Sequence, residues 1–197
     1  MRVCDKLGVP LQQVIEEGPV ARHSVTSRVE SPIVTIPSAP VKPSGSVEIF
    51  VAAPMASMAG GYESHNAKML RLVADIERHI ALTPVYYAGT ALASSADFED
   101  EAHALRVNFA ALTAARRFLL IYPEPLPTSA LIELGYAMAL ELPIRVFIRD
   151  WGHLPFMLRS VTRVRREVAI LRCRSLADVV ALLQEETDFL HASGPAT

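Results

Sequence analysis

One stretch of this chain gathers residue types that can do chemistry: residues 118–140, FLLIYPEPLPTSALIELGYAMAL. A continuous apolar run there turns through prolines and enters a helical pattern, with Thr128 or Ser129 as N-cap candidates. Glu133 falls in the first turns of that helix, just beyond the predicted strand end. A carboxylate so placed faces the crevice at a sheet's edge and stays near the positive end of the helix dipole. The same position also suits a glutamate that merely supports the first helical turn, and position alone leaves both readings open. Gly135 and Ala137 are small, which predicts a close approach of helix to sheet.

Other polar residues carry less pattern. Glu99 and His103 stand at i, i+4, a spacing common among solvated helix pairs. His65 and His79 have no partner in sequence and suit surface or cap roles. Glu124 and Asp100 are further candidate acids. His153 lies in RDWGHLPFMLR, where Trp151, Leu154, Pro155 and Phe156 predict a packed flap. The chain has no GxGxxG, no GxxxxGK[ST] and no GxSxG, so the usual dinucleotide, triphosphate and hydrolase signatures are absent. Its two cysteines, Cys4 and Cys173, form neither a CxxC nor a Cys/His ligand spacing. No disulfide framework and no metal centre are expected, and a reduced, cytoplasmic setting fits.

These residues need a scaffold, and the chain beyond Val47 supplies one. Strands are predicted at 47–54 (VEIFVAAP), 83–89, 118–123, 144–150 and 164–173. Helices are predicted at 65–80, 97–115, 129–141 and from Ser175 to about His191. The first buries Met69, Leu72, Val73, Ile76 and Ile80 on one face; the second buries Ala102, Leu105, Phe109 and Leu112. Alternating strands and helices demand parallel pairing, here a flavodoxin-like, doubly wound five-stranded sheet with helices on both faces. Ligands bind such sheets beyond the carboxyl ends of the strands, so loops 54–64, 89–98, 123–129 and 150–160 are the ones to inspect.

The remaining sequence reads differently. Five of the fourteen prolines (Pro19, Pro32, Pro37, Pro40 and Pro43) fall within residues 18–46, among Ser, Thr and Val, as in an extended linker. Residues 1–17 form a short amphipathic piece. Domains are therefore expected at 1–17, 18–46 and 47–197. With 197 residues, 51% hydrophobic, 20% charged and net charge −2, the chain can bury a core and is not wholly disordered. That balance gives no general drive toward nucleic acid or anionic membrane, and no apolar run approaches the ~20 residues of a membrane span.

Two resemblances add to this reading. Val3, Leu7, Gly8, Val9, Pro10 and Leu11 resemble the tail of a Cro/repressor-type helix-turn-helix domain, whose groove-reading helix would lie upstream of Met1. The run Glu133, Leu134, Gly135, Tyr136 and Ala137, after the third strand, resembles the signature of the nucleoside 2-deoxyribosyltransferase family. The first strand, IFVAAP, agrees with it, and the similarity spans residues 47–174.

The second resemblance implies that Glu133 is the nucleophile attacking the anomeric carbon of a nucleoside, nucleotide or NAD, with no metal or cofactor required. TIR domains, a related fold, cleave NAD at a similar bond. For that chemistry, Pro54 and Met55 at the end of the first strand would form the pocket floor, and Tyr62, Tyr86 or Tyr87 at the end of the second strand, Asn108 and Ser129 are candidate substrate contacts. Two family acids are replaced: one position matches Asn108 and the other Pro127, while Ser129-Ala130 stands for a Gly-Thr-type pair. Base exchange and deoxyribose specificity are thus not implied, and a non-catalytic nucleotide-sensing module is the alternative. Family members assemble as dimers or larger, which predicts a homo-oligomer with helices 97–115 and 129–141 as contact surfaces.

Overall fold

A computed structural model describes residues 45–55, 57, 61–98 and 100–192. The predicted segment 1–17, nearly all of linker 18–46, Gly60 and Glu99 lie outside the described residues. The described chain runs β1 (Ile49–Ala52), α1 (Tyr62–Ile80), β2 (Val85–Tyr86), α2 (Glu101–Thr113), β3 (Phe118–Tyr122), α3 (Ala130–Ala139), β4 (Ile144–Ile148), β5 (Val168–Arg172), α4 (Ala177–Glu185) and α5 (Thr187–His191). The sheet is five-stranded in the order β2-β1-β3-β4-β5. Every strand pair in it is parallel. The chain leaves β1 for one neighbour, β2, and returns to its other side with β3. That reversal opens a crevice at the carboxyl ends of β1 and β3.

Strand alternation sorts the core into two layers. Phe50, Ala52, Phe118, Leu120 and Tyr122 face α2 and α3. Ile49, Val51, Leu119, Ile121 and Phe147 face α1, α4 and Phe189 of α5. β3 and β4 are buried along their whole length between two helical layers, β4 with Arg145 among its apolar residues.

Several expectations need correction. Gly135 is exposed, and a Cβ there would meet nothing within 4 Å. Ala137, fully buried, is the residue that lies against the sheet. In α2 only Ala111 and Leu112 are buried, while Leu105 is 52% exposed. Only the last turns of that helix reach the sheet. The predicted flap is half packed: Leu154 and Val161 are buried, but Phe156 is 87% exposed. Two 3₁₀ stretches, Trp151–His153 and Phe156–Arg163, occupy that loop and delay β5 to Val168.

The single helix expected from Ser175 to His191 is interrupted at Glu186, whose ψ of 62° leaves the helical region. Buried cations explain the bend. Glu186 accepts from Arg145 at 2.6 Å. Arg117 donates to the carbonyls of Phe189, Leu190 and Ala192 at 2.7–2.8 Å and to Glu48 at 2.9 Å. A buried guanidinium needs acceptors for its donors, and the bent chain end provides three of the four that Arg117 finds.

Candidate active site

Glu133 sits on the first turns of α3. Ser129 occupies the N-cap: its carbonyl accepts from Ile132 and Glu133, but its exposed side chain caps nothing. The capping oxygen comes from Thr128, whose Oγ1 accepts from the Ala130 N–H at 3.3 Å. The hairpin of prolines between β3 and α3 is tied by the Tyr122 hydroxyl, which donates to the Leu126 carbonyl at 3.0 Å. His153 reaches the Pro123 carbonyl from the β4–β5 loop at 2.9 Å.

The Glu133 carboxylate is 8% exposed. Asn108 of α2 donates from Nδ2 to Glu133 Oε1 at 2.8 Å. Tyr86, at the end of β2, donates its phenol to Asn108 Oδ1 at 2.7 Å. The direction of this chain is dictated by the acid: an ionised carboxylate only accepts, so the amide nitrogen must face it, and the amide oxygen is left for the phenol. Tyr86 is held in turn by stacking on Phe50, with ring centroids 5.0 Å apart. One turn further along α3, Tyr136 stacks on Phe109 of α2 at 4.4 Å, fixing the two helices against each other.

Burial pushes the Glu133 carboxyl up to about 7, against the downward pull of the Asn108 hydrogen bond. The Tyr86 phenol is pushed up to about 12 by burial, with the nearby Glu133 charge adding to it. Tyr86 therefore stays a donor throughout the range in which Glu133 titrates. A carboxylate poised near neutrality and held through a neutral amide is chemically able to act as a nucleophile or a base.

The other predicted residues are placed differently. Tyr62 is buried in α1, donates to the Leu92 carbonyl at 2.9 Å and leans on Phe98. Tyr87 is buried in the opposite layer from Tyr86, packed with α1 residues. Both serve the β2–α2 loop, together with Asn66, which donates to the carbonyls of Gly89 and Leu92. Gly89 has no room for a side chain, since a Cβ would sit 2.2 Å from Asn66 Oδ1 and 2.5 Å from the Tyr87 ring. Pro54 is buried at the end of β1, and Met55 is half-buried against the α1 and α4 layer. Asn108 is thus the predicted contact that the fold brings to Glu133. Tyr86, not Tyr87, joins them. Two adjacent tyrosines on a strand must face opposite layers, so one had to point this way; the alternation alone does not say which layer holds α3.

Among the described residues, no group of three or more His, Cys, Asp or Glu side chains gathers as a metal centre would need. No described helix is long and apolar enough to cross a membrane.

Comparison with solved structures gives the same fold in two proteins. The CMP N-glycosidase BcmB of Clostridium botulinum superposes with a TM-score of 0.54 at 15% identity, over 71% of this chain and 98% of that one. BlsM, solved in solution, superposes with a TM-score of 0.59 at 17% identity, over 79% of this chain and all of that one. At such identities the likeness is one of fold. No protein-family model and no curated protein sequence matches the chain.

Proposed function

We propose that this chain cleaves the N-glycosidic bond of a nucleotide, with Glu133 as the nucleophile. The carrying observation is the buried Glu133 carboxyl, raised to about 7 and oriented by the Asn108–Tyr86 chain beside the β1/β3 crevice. A structural glutamate in a first helical turn has no need of such burial. The fold shared with a CMP N-glycosidase supports the reading, as does the Glu133-Leu134-Gly135-Tyr136-Ala137 run.

In the reaction, a Glu133 oxygen bonds to C1′ as the C1′–N bond breaks and its electron pair leaves with the base. The departing base takes a proton from solvent or from a donor in the crevice. Water then attacks the glycosyl ester, returning the carboxylate and releasing the sugar. Asn108 fixes one oxygen, so that the other is the one presented to the sugar, and Tyr86 fixes Asn108. The amide favours the charged form without supplying a proton, so the departing base draws its proton from another source.

The test is release of free base from nucleoside 5′-monophosphates, nucleosides and NAD, followed by chromatography. Release by the native chain and its loss in Glu133→Gln is expected; release that survives the substitution overturns the assignment. A second reading, nucleotide sensing without turnover, is favoured by Asn108 standing where an acid would assist. It predicts binding of the same compounds with no base release. We further propose a cytoplasmic homodimer, with the α2 and α3 face, carrying exposed Leu105 and Ile132, as its contact.

A further inference from the structure

The opposite face of the sheet holds a cavity that the Glu133 reading does not use. It has a volume of about 560 Å³ and lies at the carboxyl edge of β1, β3 and β4, between α1 and the start of α4; Pro54 lines it, and Glu133 is not among its lining residues. Its floor is apolar, with Leu72, Phe147 and Leu176 among the lining residues. Its wall carries four cations: Lys68 and Arg71 from α1, Arg149 after β4, and Arg174 after β5. Arg172 adds a fifth at the mouth, alongside Arg149 and Arg174. Two carboxylates also line the cavity, Asp75 and Glu124, but Asp75 is bonded to Arg78 at 3.3 Å. Arg174 lies 3.9 Å from Asp178. Lys68, Arg71 and Arg149 make no ion pair among the described residues.

His65 supplies an independent observation. Its ring lines the cavity and is 9% exposed, and its Nε2 is buried without a hydrogen-bond partner. Burial and the nearby Lys68 disfavour the charged imidazolium, outweighing the Glu124 charge and the bond to its backbone partner, the Pro54 carbonyl. A neutral imidazole that donates through one nitrogen offers the other as an acceptor. Left unmade, such a bond is costly, so the site calls for a donor from outside the chain.

We propose that this cavity is a second ligand site, separate from Glu133, for an organic phosphate carrying a ring. The three demands are independent and one ligand class meets them all. Unpaired lysine and arginines at a mouth suit a phosphate dianion. An apolar floor of nucleotide size suits a base or other flat ring. The His65 acceptor suits a sugar hydroxyl or an exocyclic amine.

The experiment measures binding to full-length Glu133→Gln protein, so that turnover cannot deplete the ligand. Probes are AMP, CMP, ribose 5-phosphate and inorganic phosphate, titrated calorimetrically. The comparison is Arg71→Ala/Arg149→Ala in the same background, with circular dichroism as the folding check. Expected is at least tenfold weaker nucleotide binding at one of two sites, with inorganic phosphate weaker than either nucleotide throughout. In the Glu133 background the same pair should leave kcat and KM for base release within twofold. Unchanged binding in the double variant overturns the site. A KM that rises in step with the lost affinity overturns its separateness, making the cavity the phosphate end of the Glu133 crevice. Tight phosphate with no gain from the ring overturns the ligand class. Should no base be released from any compound, the proposed function fails while the binding comparison still decides this site. A His65→Phe variant checks the second observation: it should weaken AMP by several-fold yet leave inorganic phosphate unmoved, and equal loss of both would overturn that role.

Discussion

Two regions of this molecule bury charge, and they treat it in opposite ways. At the base of the sheet, Arg117 and Arg145 are 5% and 8% exposed. Each is met by a carboxylate, and Arg117 also by three carbonyls. Arg145 additionally lies over the Phe189 ring at 4.8 Å. At the carboxyl edge, Glu133 is equally buried but receives one neutral amide. The chain that bends its last helix to satisfy two guanidiniums leaves a carboxylate undercompensated. Full compensation locks a charge for architecture, whereas partial compensation keeps a proton exchangeable near neutrality. That contrast is the ground for proposing chemistry at Glu133 and a framework role for the arginines.

Substitutions should break the contrast from either side. The largest effect expected is on Glu133→Gln, which should cut base release by roughly 10³-fold or more, because the amide is not a nucleophile. The same variant should be more stable than the native chain at high pH. Glu133's carboxyl in the folded state, at about 7, lies above its ordinary 4.5. Its contribution is therefore fully present below pH 4.5 and is lost as pH rises through 7. Thermal melts should show the variant ahead by about 3 kcal/mol at pH 8.5 and near parity at pH 4.5.

Arg117→Met should destabilise by about 3–5 kcal/mol in urea unfolding, since Glu48 and the three chain-end carbonyls lose their partner together. Activity per folded molecule should be unchanged. If the melt hardly moves, the arginine is not the framework residue its contacts imply.

Asn108→Leu removes the one bond that favours the charged carboxylate. The rising limb of base release, expected near pH 7 in the native chain, should move to higher pH, with a rate loss on the order of 10–100-fold. A profile that keeps its midpoint would mean that the amide does not tune the acid. The smallest effect should come from Tyr86→Phe, which leaves Asn108 in place but frees its oxygen. About 1 kcal/mol, near a fivefold rate loss with the same direction of pH shift, is expected. Tyr87→Phe serves as its control and should leave the pH profile alone.

Much of the fold was legible because buried parallel strands leave an unmistakable trace. Phe118–Tyr122 is apolar at every position and Ile144–Ile148 at all but Arg145, and the intervening helices carry helical spacing. The place of Glu133 after the third such strand was legible too, but position alone left its role open, and the Glu133-Leu134-Gly135-Tyr136-Ala137 run is what singled it out. What failed were inferences from residue size or composition without a neighbour. Gly135 was small for no packing reason, and Phe156 was apolar without being covered. The break at Glu186 had no local signal, because no proline or glycine lies there; its cause is Arg117 and Arg145, more than forty residues upstream in each case.

Sequence alone determined the parallel α/β class, the order of its elements and the position of one carboxylate at a strand-helix junction. These follow from local periodicity and from the limited ways parallel strands connect. Tertiary structure decided everything that depends on which layer a residue faces. It chose Tyr86 over Tyr87, turned Asn108 onto Glu133, and set His65 with Lys68, Arg71, Arg149 and Arg174 around one cavity. Strand alternation assigns sides but not which helices cover them, and burial that raises an acid to about 7 exists only once both layers have closed.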